Sequence, residues 1–232
     1  MTTIPEGPVR AVMFDFDGTL IDTMGGFADV AGRLIEAYHG WTFEAARAAY
    51  LRTSGIPFFK QLEVLFPGHE KNPGIAEAFE REKLSCYEGR GVDPDVPAVL
   101  AGLRGRGIAS IVSSNNFASV VDAFLATQDV NFDLVLGYRD NFAKGEEHFA
   151  HAARRLELSR SSLLFVGDSL EDARIALASG VAFTAKLGTN DAGTFEARFG
   201  GDPFPMIARL VDLLELVDGW ASRPGSRNKE KP

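Results

Sequence analysis

The sequence predicts an α/β fold: a doubly wound parallel sheet into which an α-helical domain is inserted. Short apolar runs alternate with helical patterns along most of the chain, as expected for parallel strands joined by right-handed crossovers. One long interval shows helical periodicity without a strand, and polar residues directly follow several of the apolar runs. Such polar residues would meet at one edge of the sheet, where ligands bind in folds of this class.

The first apolar run, residues 9–15, is a predicted strand that leads into the segment FDFDGTLID. Asp15 lies at its carboxyl end, and Asp17 would point to the same side if the strand continued. Gly18 permits the unusual backbone of a sharp exit. Two close carboxylates repel each other and lose hydration when they are enclosed. This pattern therefore favours a functional site, and a capped turn beside a strand is the structural alternative.

After this strand comes the helical interval, from Met24 to about Tyr87. It is too long for an ordinary crossover and too apolar for a loop without structure. Helical periodicity predicts an inserted subdomain that leaves the sheet after the first strand and returns before the second. Its predicted helices span residues 27–39, 42–52, 57–66 and 74–87.

The rest of the chain alternates between short apolar runs and helical patterns, which completes the predicted sheet. The predicted strands span residues 108–113, 134–137, 163–167 and 181–187, and the predicted helices span residues 95–106, 118–127, 146–156 and 170–179. We therefore predict a discontinuous α/β core of residues 9–22 and 90–219 and a helical cap of residues 23–89. The polar ends, residues 1–8 and 220–232, are predicted to be flexible.

Composition excludes several classes of function. The 232-residue chain has a net charge of −8, which disfavours broad nucleic-acid binding. A single cysteine, Cys86, excludes an internal disulfide and a thiolate metal cluster within one chain. No apolar run approaches the roughly 20 residues that span a bilayer, and the N-terminus does not resemble a secretory signal. We therefore expect a cytoplasmic protein without a membrane partner.

Further polar residues follow the later strands. The segment Ser113-Ser114-Asn115-Asn116 follows the second strand, and Lys144 comes after the third. Asp168 ends the fourth strand, and Asp172 lies one helical turn further on. Taken singly, each has a structural explanation as a turn, a solvated lysine or a helix cap. Their convergence on one edge of the predicted sheet favours a shared site.

The order DFDGT, SSN, Lys144 and GDSLED, each after its strand, resembles the haloacid dehalogenase superfamily. It is most similar to the phosphatase branch with a helical cap, of the phosphoglycolate phosphatase-like kind, and the resemblance extends from residue 9 to residue 216. It implies a Rossmann-like core and a phosphoric monoester hydrolase that acts on a small phosphorylated metabolite. A monomer or a homodimer without a nucleic-acid partner is expected.

Phosphoryl transfer requires an in-line nucleophile, neutralised phosphoryl oxygens and assistance to the leaving group. Asp15 fits the nucleophile, which forms an acyl phosphate, as the resemblance also implies. Asp17 would be the general acid and base in turn. Ser114 and Lys144 would hold the phosphoryl oxygens. Ser114 is preferred to Ser113 because the family pattern places serine directly before asparagine.

A carboxylate nucleophile and a phosphate dianion repel each other, so a divalent cation is expected between them. Mg²⁺ suits an oxygen-rich and partly hydrated site. Histidine ligands are not expected, because His148 and His151 are predicted to lie on the surface. The predicted metal ligands are Asp15, the backbone carbonyl of Asp17, Asp168 and, directly or through water, Asp172.

Several reactions occur within the superfamily. Dehalogenating members usually lack the second aspartate, so the presence of Asp17 disfavours that reaction. Sugar-phosphate mutases typically carry a histidine in the first cap helix, where this chain has Phe27. Hydrolysis is therefore favoured, with a mutase and a non-catalytic phosphate-binding regulatory protein as alternatives. Gly145 follows Lys144 where relatives often have proline, which is a departure from the pattern.

Substrate specificity is expected to come from the cap. Residues 52–57, between two predicted cap helices, resemble the substrate-specificity loop of the family. Arg52 and Lys60 would read a second anionic or hydroxyl-rich part of the substrate, and a solvated helix connection is the structural alternative. The candidate substrate-binding residues are Arg52, Ser54, Gly55 and Asn115.

Overall fold

The computed structural model describes residues 7–201 and 203–222. Six strands form one sheet: β1 (Ala11–Phe14), β2 (Ala109–Phe117), β3 (Leu134–Tyr138), β4 (Leu163–Gly167), β5 (Ala182–Lys186) and β6 (Met206–Ile207). Their order is β3-β2-β1-β4-β5-β6, and every neighbouring pair is parallel. The predicted α/β class with a doubly wound parallel sheet is confirmed.

The interval between β1 and β2 is helical. Its helices are α1 (Met24–His39), α2 (Phe43–Arg52), α3 (Phe58–Leu65) and α4 (Asn72–Glu82), followed by a 3₁₀ helix (Lys83–Tyr87). Their apolar faces pack around a hydrophobic cluster of their own, which contains Phe27, Ile35, Leu62 and Phe79. The chain from α1 to the 3₁₀ helix is called the helical region below. The boundaries of a separate cap domain stay a prediction.

Six more helices cover the sheet: α5 (Val96–Gly105), α6 (Ala118–Leu125), α7 (Glu146–Arg155), α8 (Leu170–Ala178), α9 (Ala192–Phe199) and α10 (Leu213–Ala221). Alternate side chains of β1 point to opposite faces, so Val12 and Phe14 join one core cluster while Ala11 and Met13 join the other. Both faces are covered, which is why the strand is apolar throughout. Within the described ranges, no helix has the length and apolarity to cross a membrane.

Some element ends differ from the predictions. β2 continues to Phe117, beyond the predicted end at residue 113, so the polar segment, for which a turn was the structural alternative, is itself extended chain. Strand β6 has only two residues, which is too short to show any periodicity. Helix α10 continues to Ala221 and buries Trp220, because its apolar face packs on the core beyond the predicted boundary at residue 219. Residues 1–6 and 223–232, predicted as flexible, lie outside the described residues.

The strand order fixes the place of the ligand crevice. The chain runs from β1 to β2 and β3 on one side and then crosses to β4 on the other side of β1. Ligands bind at the carboxyl ends of the strands at such a reversal. Asp15 directly follows β1, and its backbone N–H donates to the Val166 carbonyl at 2.8 Å. Asp168 directly follows β4, so both carboxyl groups reach this crevice.

Candidate active site

Three buried carboxyl groups meet at the crevice between β1 and β4. Oxygen atoms of Asp15, Asp168 and Asp172 lie within 4.8 Å of one another. The Oδ2 atom of Asp168 is buried and has no hydrogen-bond partner among the described residues. A Cβ atom at Gly18, where φ is +87°, would lie 2.0 Å from that oxygen. Glycine therefore lets the chain after β1 pass directly beside the carboxylate cluster.

Asp172 is held by the first turn of α8. Its backbone N–H donates to Ser169 Oγ at 3.0 Å, and the Ser169 N–H donates to Asp172 Oδ2 at 3.1 Å, which is a capping box. The other oxygen, Oδ1, lies 2.6 Å from the Lys144 ammonium. Asp172 is thus both a helix-capping residue and a member of the carboxylate cluster. The structural explanation as a helix cap and the position in a shared site therefore both apply to this residue.

Lys144 is the cation of the cluster. Its Nζ atom lies 2.8 Å from Asp15 Oδ1 as well as close to Asp172, and the side chain is buried. Burial lowers the pKa of Lys144, but the carboxylates of Asp15 and Asp172 outweigh it and raise the pKa above its ordinary value. The lysine therefore stays charged. Gly145, in place of the usual proline, does not remove Lys144 from the site.

The cluster carries more negative than positive charge. Burial, with the neighbouring charges of Asp172 and Asp168, raises the pKa of Asp15 well above its ordinary value against the opposing charge of Lys144. Burial and the charge of Asp172 raise the pKa of Asp168 to about 7. A divalent cation among these oxygens would remove the excess charge. The all-oxygen donor set and the unpaired Asp168 oxygen fit Mg²⁺.

Asp17 lies in a different environment, made of neutral donors. Its Oδ1 accepts hydrogen bonds from Thr23 Oγ1 at 2.6 Å and from the Tyr87 hydroxyl at 2.8 Å. Its Oδ2 accepts a hydrogen bond from Asn116 Nδ2. Burial raises the pKa of Asp17, although the hydrogen bonds from Thr23 and Tyr87 oppose this. A carboxyl group of this kind is suited to hold a proton.

The three partners of Asp17 were not predicted from the sequence. Thr23 and Tyr87 lie at the two points where the chain enters and leaves the helical region. Only Asn116 had a usable signal, because side chains alternate along a strand and Asn116 shares the side of Ser114. Asn115 lines the cavity as well, so three residues of the predicted segment Ser113-Ser114-Asn115-Asn116 reach the site.

Strand alternation also separates the two serines. Ser113 Oγ lies 2.9 Å from His148 Nδ1 inside the core, whereas Ser114 lines the cavity beside Asp15. Ser114 therefore lies at the cavity and Ser113 does not, while the phosphate-binding role of Ser114 stays a prediction. The predicted surface position of His148 is wrong: the side chain is fully buried, because α7 packs this face on the sheet, and only its Nδ1 atom has a partner, the Ser113 hydroxyl, among the described residues.

A cavity of about 70 Å³ lies between the sheet edge and the helical region. Asn115 bridges the two walls, since its Nδ2 donates to the Gly55 carbonyl at 2.9 Å and its Oδ1 accepts from the Lys144 N–H at 3.2 Å. Of the candidate substrate-binding residues, Asn115 and Gly55 line this cavity. Arg52 and Ser54 line a separate cavity of about 260 Å³, so their role stays a prediction.

A basic side chain that was not predicted does line the main cavity. Lys83, in the 3₁₀ helix, is buried, and its ammonium lies 2.5 Å from Glu80 Oε2 and 2.6 Å from Asn116 Oδ1. Lys60, which was predicted to read the substrate, instead lies over the ring of the exposed Phe59. The sequence around Lys83 carries no motif, so only the fold reveals its position.

The model of the haloacid dehalogenase-like hydrolase family matches residues 9–180, which is most of the chain. The chain therefore belongs to the haloacid dehalogenase-like hydrolase family. A phosphoglycolate phosphatase of Pectobacterium atrosepticum is 28% identical over 221 residues, which cover 90% of this chain and 92% of the relative. The family match and the phosphoglycolate phosphatases among the relatives show that the protein is a phosphatase, as predicted.

Solved structures show the same fold. A hydrolase from Pseudomonas syringae has a TM-score of 0.76 at 18% identity and covers 92% of this chain and 100% of its own. CbbY from Rhodobacter sphaeroides, in complex with phosphate, has a TM-score of 0.70 at 17% identity and covers 90% of this chain and 99% of its own. At these identities the likeness concerns the fold alone.

Proposed function

We propose that the protein is a Mg²⁺-dependent phosphatase that hydrolyses a small phosphomonoester through an aspartyl phosphate on Asp15. The observation that carries this proposal is the cluster of Asp15, Asp168 and Asp172 around Lys144, in which one Asp168 oxygen has no hydrogen-bond partner among the residues that the structure describes. The small cavity and the phosphoglycolate phosphatases among the relatives make phosphoglycolate the first substrate to test.

In the first half of the reaction, a carboxylate oxygen of Asp15 attacks the phosphorus atom. The bond between phosphorus and the leaving oxygen breaks, its electron pair stays with that oxygen, and Asp17 donates a proton to it. The Ser114 hydroxyl and the Lys144 ammonium hold the phosphoryl oxygens. The raised pKa of Asp17 supports this role, because an acid must still carry its proton when the bond breaks.

In the second half, water attacks the phosphorus atom of the aspartyl phosphate and gives a proton to Asp17. The bond from phosphorus to the Asp15 oxygen breaks, which regenerates the carboxylate and releases inorganic phosphate. Asp15, the Asp17 backbone carbonyl and Asp168 would hold Mg²⁺, with Asp172 as a direct or water-mediated ligand. When bound, the ion offsets the repulsion between these carboxylates and the phosphate dianion.

We further propose that residues 23–89 act as a cap that closes over the site and excludes water. Apolar side chains of this region, among them Phe27, Tyr50 and Phe79, form the wall opposite the carboxylates. Gly55 packs so closely on the first turn of α8 that a Cβ atom there would lie 2.4 Å from Ser169 Oγ. This close packing supports a closed arrangement of cap and core.

The environment of Phe27 favours hydrolysis over a mutase reaction. Its ring is buried against those of Phe79 and Tyr87, with centroid distances of 6.1 and 5.6 Å. The position at which mutases of the superfamily carry a histidine therefore supplies an apolar wall. Water is then the acceptor for the phosphoryl group.

Release of inorganic phosphate from phosphoglycolate and from a panel of alkyl and aryl phosphates tests the proposal, with Mg²⁺ and with EDTA. We expect Mg²⁺-dependent release and, by ligand linkage, a higher melting temperature when Mg²⁺ is added. Asp168→Asn should remove the Mg²⁺-dependent rise, whereas Asp17→Asn should retain it, since Asp17 is expected to bind through its backbone. Absence of Mg²⁺-dependent release across the panel would overturn the proposal.

A further inference from the structure

The side-chain amide of Asn116 lies between the acid and a buried cation. Its Nδ2 donates to Asp17 Oδ2 and to the Tyr87 hydroxyl, the latter at 2.6 Å. Its Oδ1 accepts from the Lys83 ammonium at 2.6 Å. Asn116 and Lys83 are 6% and 5% exposed, so water does not replace these contacts freely. The amide thus uses both N–H groups and its oxygen on three neighbours.

The chemistry of these neighbours fixes which way the amide faces. An ammonium group only donates hydrogen bonds, so the amide must turn its oxygen, its only acceptor, toward Lys83. If the amide were rotated by 180°, its N–H groups would face the Lys83 ammonium, and this contact between two donors would be repulsive. Lys83 therefore orients Asn116, and Asn116 in turn presents an N–H group to Asp17.

This arrangement also distinguishes the two oxygens of Asp17. A carboxylate oxygen offers about two lone pairs. Those of Oδ1 are both engaged, by Thr23 and Tyr87. Oδ2 accepts from Asn116 alone among the described side chains, which leaves one lone pair open for a proton.

We propose that Asn116 is a positioning residue for proton transfer by Asp17, and that Lys83 acts through it. Asn116 holds Asp17 so that Oδ2 carries the proton, which passes to the leaving oxygen as its bond to phosphorus breaks. This inference rests on the proposed phosphatase function. It adds Asn116 and Lys83 to the reaction, although neither needs to touch the phosphoryl group.

The test compares an alkyl phosphate with an aryl phosphate. Expulsion of an alkoxide depends on a well-placed acid, whereas an aryl oxide leaves with little assistance. General acid catalysis contributes roughly 10²- to 10⁴-fold, so we expect Asn116→Ala to lower kcat for the alkyl phosphate about 10- to 100-fold. The kcat for the aryl phosphate should fall by less than about 3-fold, since binding of its phosphoryl group is unchanged.

Lys83→Met provides a second measurement. Without the ammonium the amide loses its fixed orientation, so the same preferential loss on the alkyl phosphate is expected at a smaller size. If Lys83 acts through Asn116, the double variant should lose no more than Asn116→Ala alone, because residues that act as a unit are not additive. Additive losses would overturn the assignment of Lys83.

Asn115→Ala is the matched control, because it removes the same amide from the neighbouring position of β2. Its contacts are with the Gly55 carbonyl and the Lys144 N–H, so both substrates should be affected by the same factor. Equal losses on both substrates in a folded Asn116→Ala variant would refute the positioning role. If Asn116→Ala does not fold, the test is the loss of kcat on the alkyl phosphate relative to that on the aryl phosphate in Lys83→Met, and equal losses there would refute the positioning role. A wild-type protein without any phosphatase activity would instead contradict the proposed function.

Discussion

The two aspartates of FDFDGT lie two positions apart but in opposite surroundings. Asp15 faces charged groups, which are the Lys144 ammonium and the carboxyl groups of Asp168 and Asp172. Lys144 follows β3, and the two carboxyl groups both follow β4. Among the described residues, Asp17 accepts hydrogen bonds only from uncharged side chains, and two of these lie where the chain enters and leaves the helical region. The sheet therefore builds one environment, and the inserted region completes the other.

This difference matches two different chemical tasks. A nucleophile must be ionised and rigidly placed. Asp15 is held at a strand end beside the Lys144 ammonium, and a bound divalent cation would favour its ionised form against the burial and the carboxylates that raise its pKa. A general acid must keep its proton until the leaving bond breaks, and burial favours the protonated form of Asp17 against the opposing hydrogen bonds from Thr23 and Tyr87.

Asp15→Asn removes the nucleophile and should abolish hydrolysis. We expect kcat to fall by at least about 10⁴-fold on alkyl and aryl phosphates alike, because no other group can form the acyl phosphate. The loss should be the same for good and poor leaving groups. Steady-state kinetics measure it, with circular dichroism as the control for folding. A folded variant that retains activity would refute the assignment of the nucleophile.

Asp17→Asn removes the acid but leaves the charged side of the site intact. The loss should be about 10²- to 10⁴-fold on an alkyl phosphate and clearly smaller on an aryl phosphate, whose leaving group needs little protonation. Measurement of kcat against leaving-group basicity checks this expectation. If Asp17→Asn slowed both substrates equally, the division of tasks between the two aspartates would be wrong.

Gly55→Ala tests the contact between the helical region and the core. Its φ is +95°, and a Cβ atom would lie 2.4 Å from Ser169 Oγ and 2.6 Å from Glu171 Cβ. The added methyl should hold the two regions apart and lower kcat/KM roughly 10- to 100-fold, as expected for a small misplacement in an active site. Both leaving groups should be affected.

Gly40→Ala is the matched control for Gly55→Ala. Gly40 also has a positive φ, +70°, but a Cβ atom there would have nothing within 4 Å. Backbone strain alone should therefore cost some stability and leave kcat/KM within about 2-fold of the wild type. If both variants lost activity equally, strain would explain the result and the packing of Gly55 on α8 would not matter.

The sheet and the charged side of the site were predictable because they depend on local patterns. Short apolar runs identify strands, and the carboxyl ends of parallel strands share one edge, so Asp15, Lys144, Asp168 and Asp172 were expected together. The missing parts depend on distant contacts. Tyr87 and Asn116 are separated from Asp17 by 70 and 99 positions along the chain. Contacts at such separations produce no periodic pattern in the sequence.

Side-chain direction was the other limit. Arg52 was expected in the substrate cavity because its segment resembles a specificity loop, but it ends α2 and lines a neighbouring cavity. Lys83 lies in a 3₁₀ helix where an α-helix was predicted to continue. A change from α to 3₁₀ geometry alters which side chains share a face, so the predicted helix could not indicate that Lys83 faces the site.

The smallest expected effect is that of His148 on the pH dependence of stability, and it tests the surroundings of Lys144. Burial and the nearby charge of Lys144 lower the pKa of His148 to about 3, whereas an unfolded histidine titrates near 6.5. Below that value the unfolded chain binds a proton that the folded protein does not accept, so stability is complete above about pH 6.5 and falls as the pH decreases toward 3. Between pH 6.5 and 5 this amounts to about 2 kcal/mol at most, at 1.36 kcal/mol per pH unit.

His148→Gln should remove that component, so its free energy of unfolding should decrease less than that of the wild type from pH 6.5 to 5. Urea unfolding at several pH values, without added metal, measures the difference. The carboxyl groups of Asp15 and Asp168 titrate in both proteins, so the comparison between variants isolates His148. His151→Gln removes a half-buried imidazole from the same helix and controls for the substitution itself. If the free energy of unfolding changed equally with pH in the wild type and in His148→Gln, the imidazole would accept a proton in the folded protein. A second cation would then lie near Lys144.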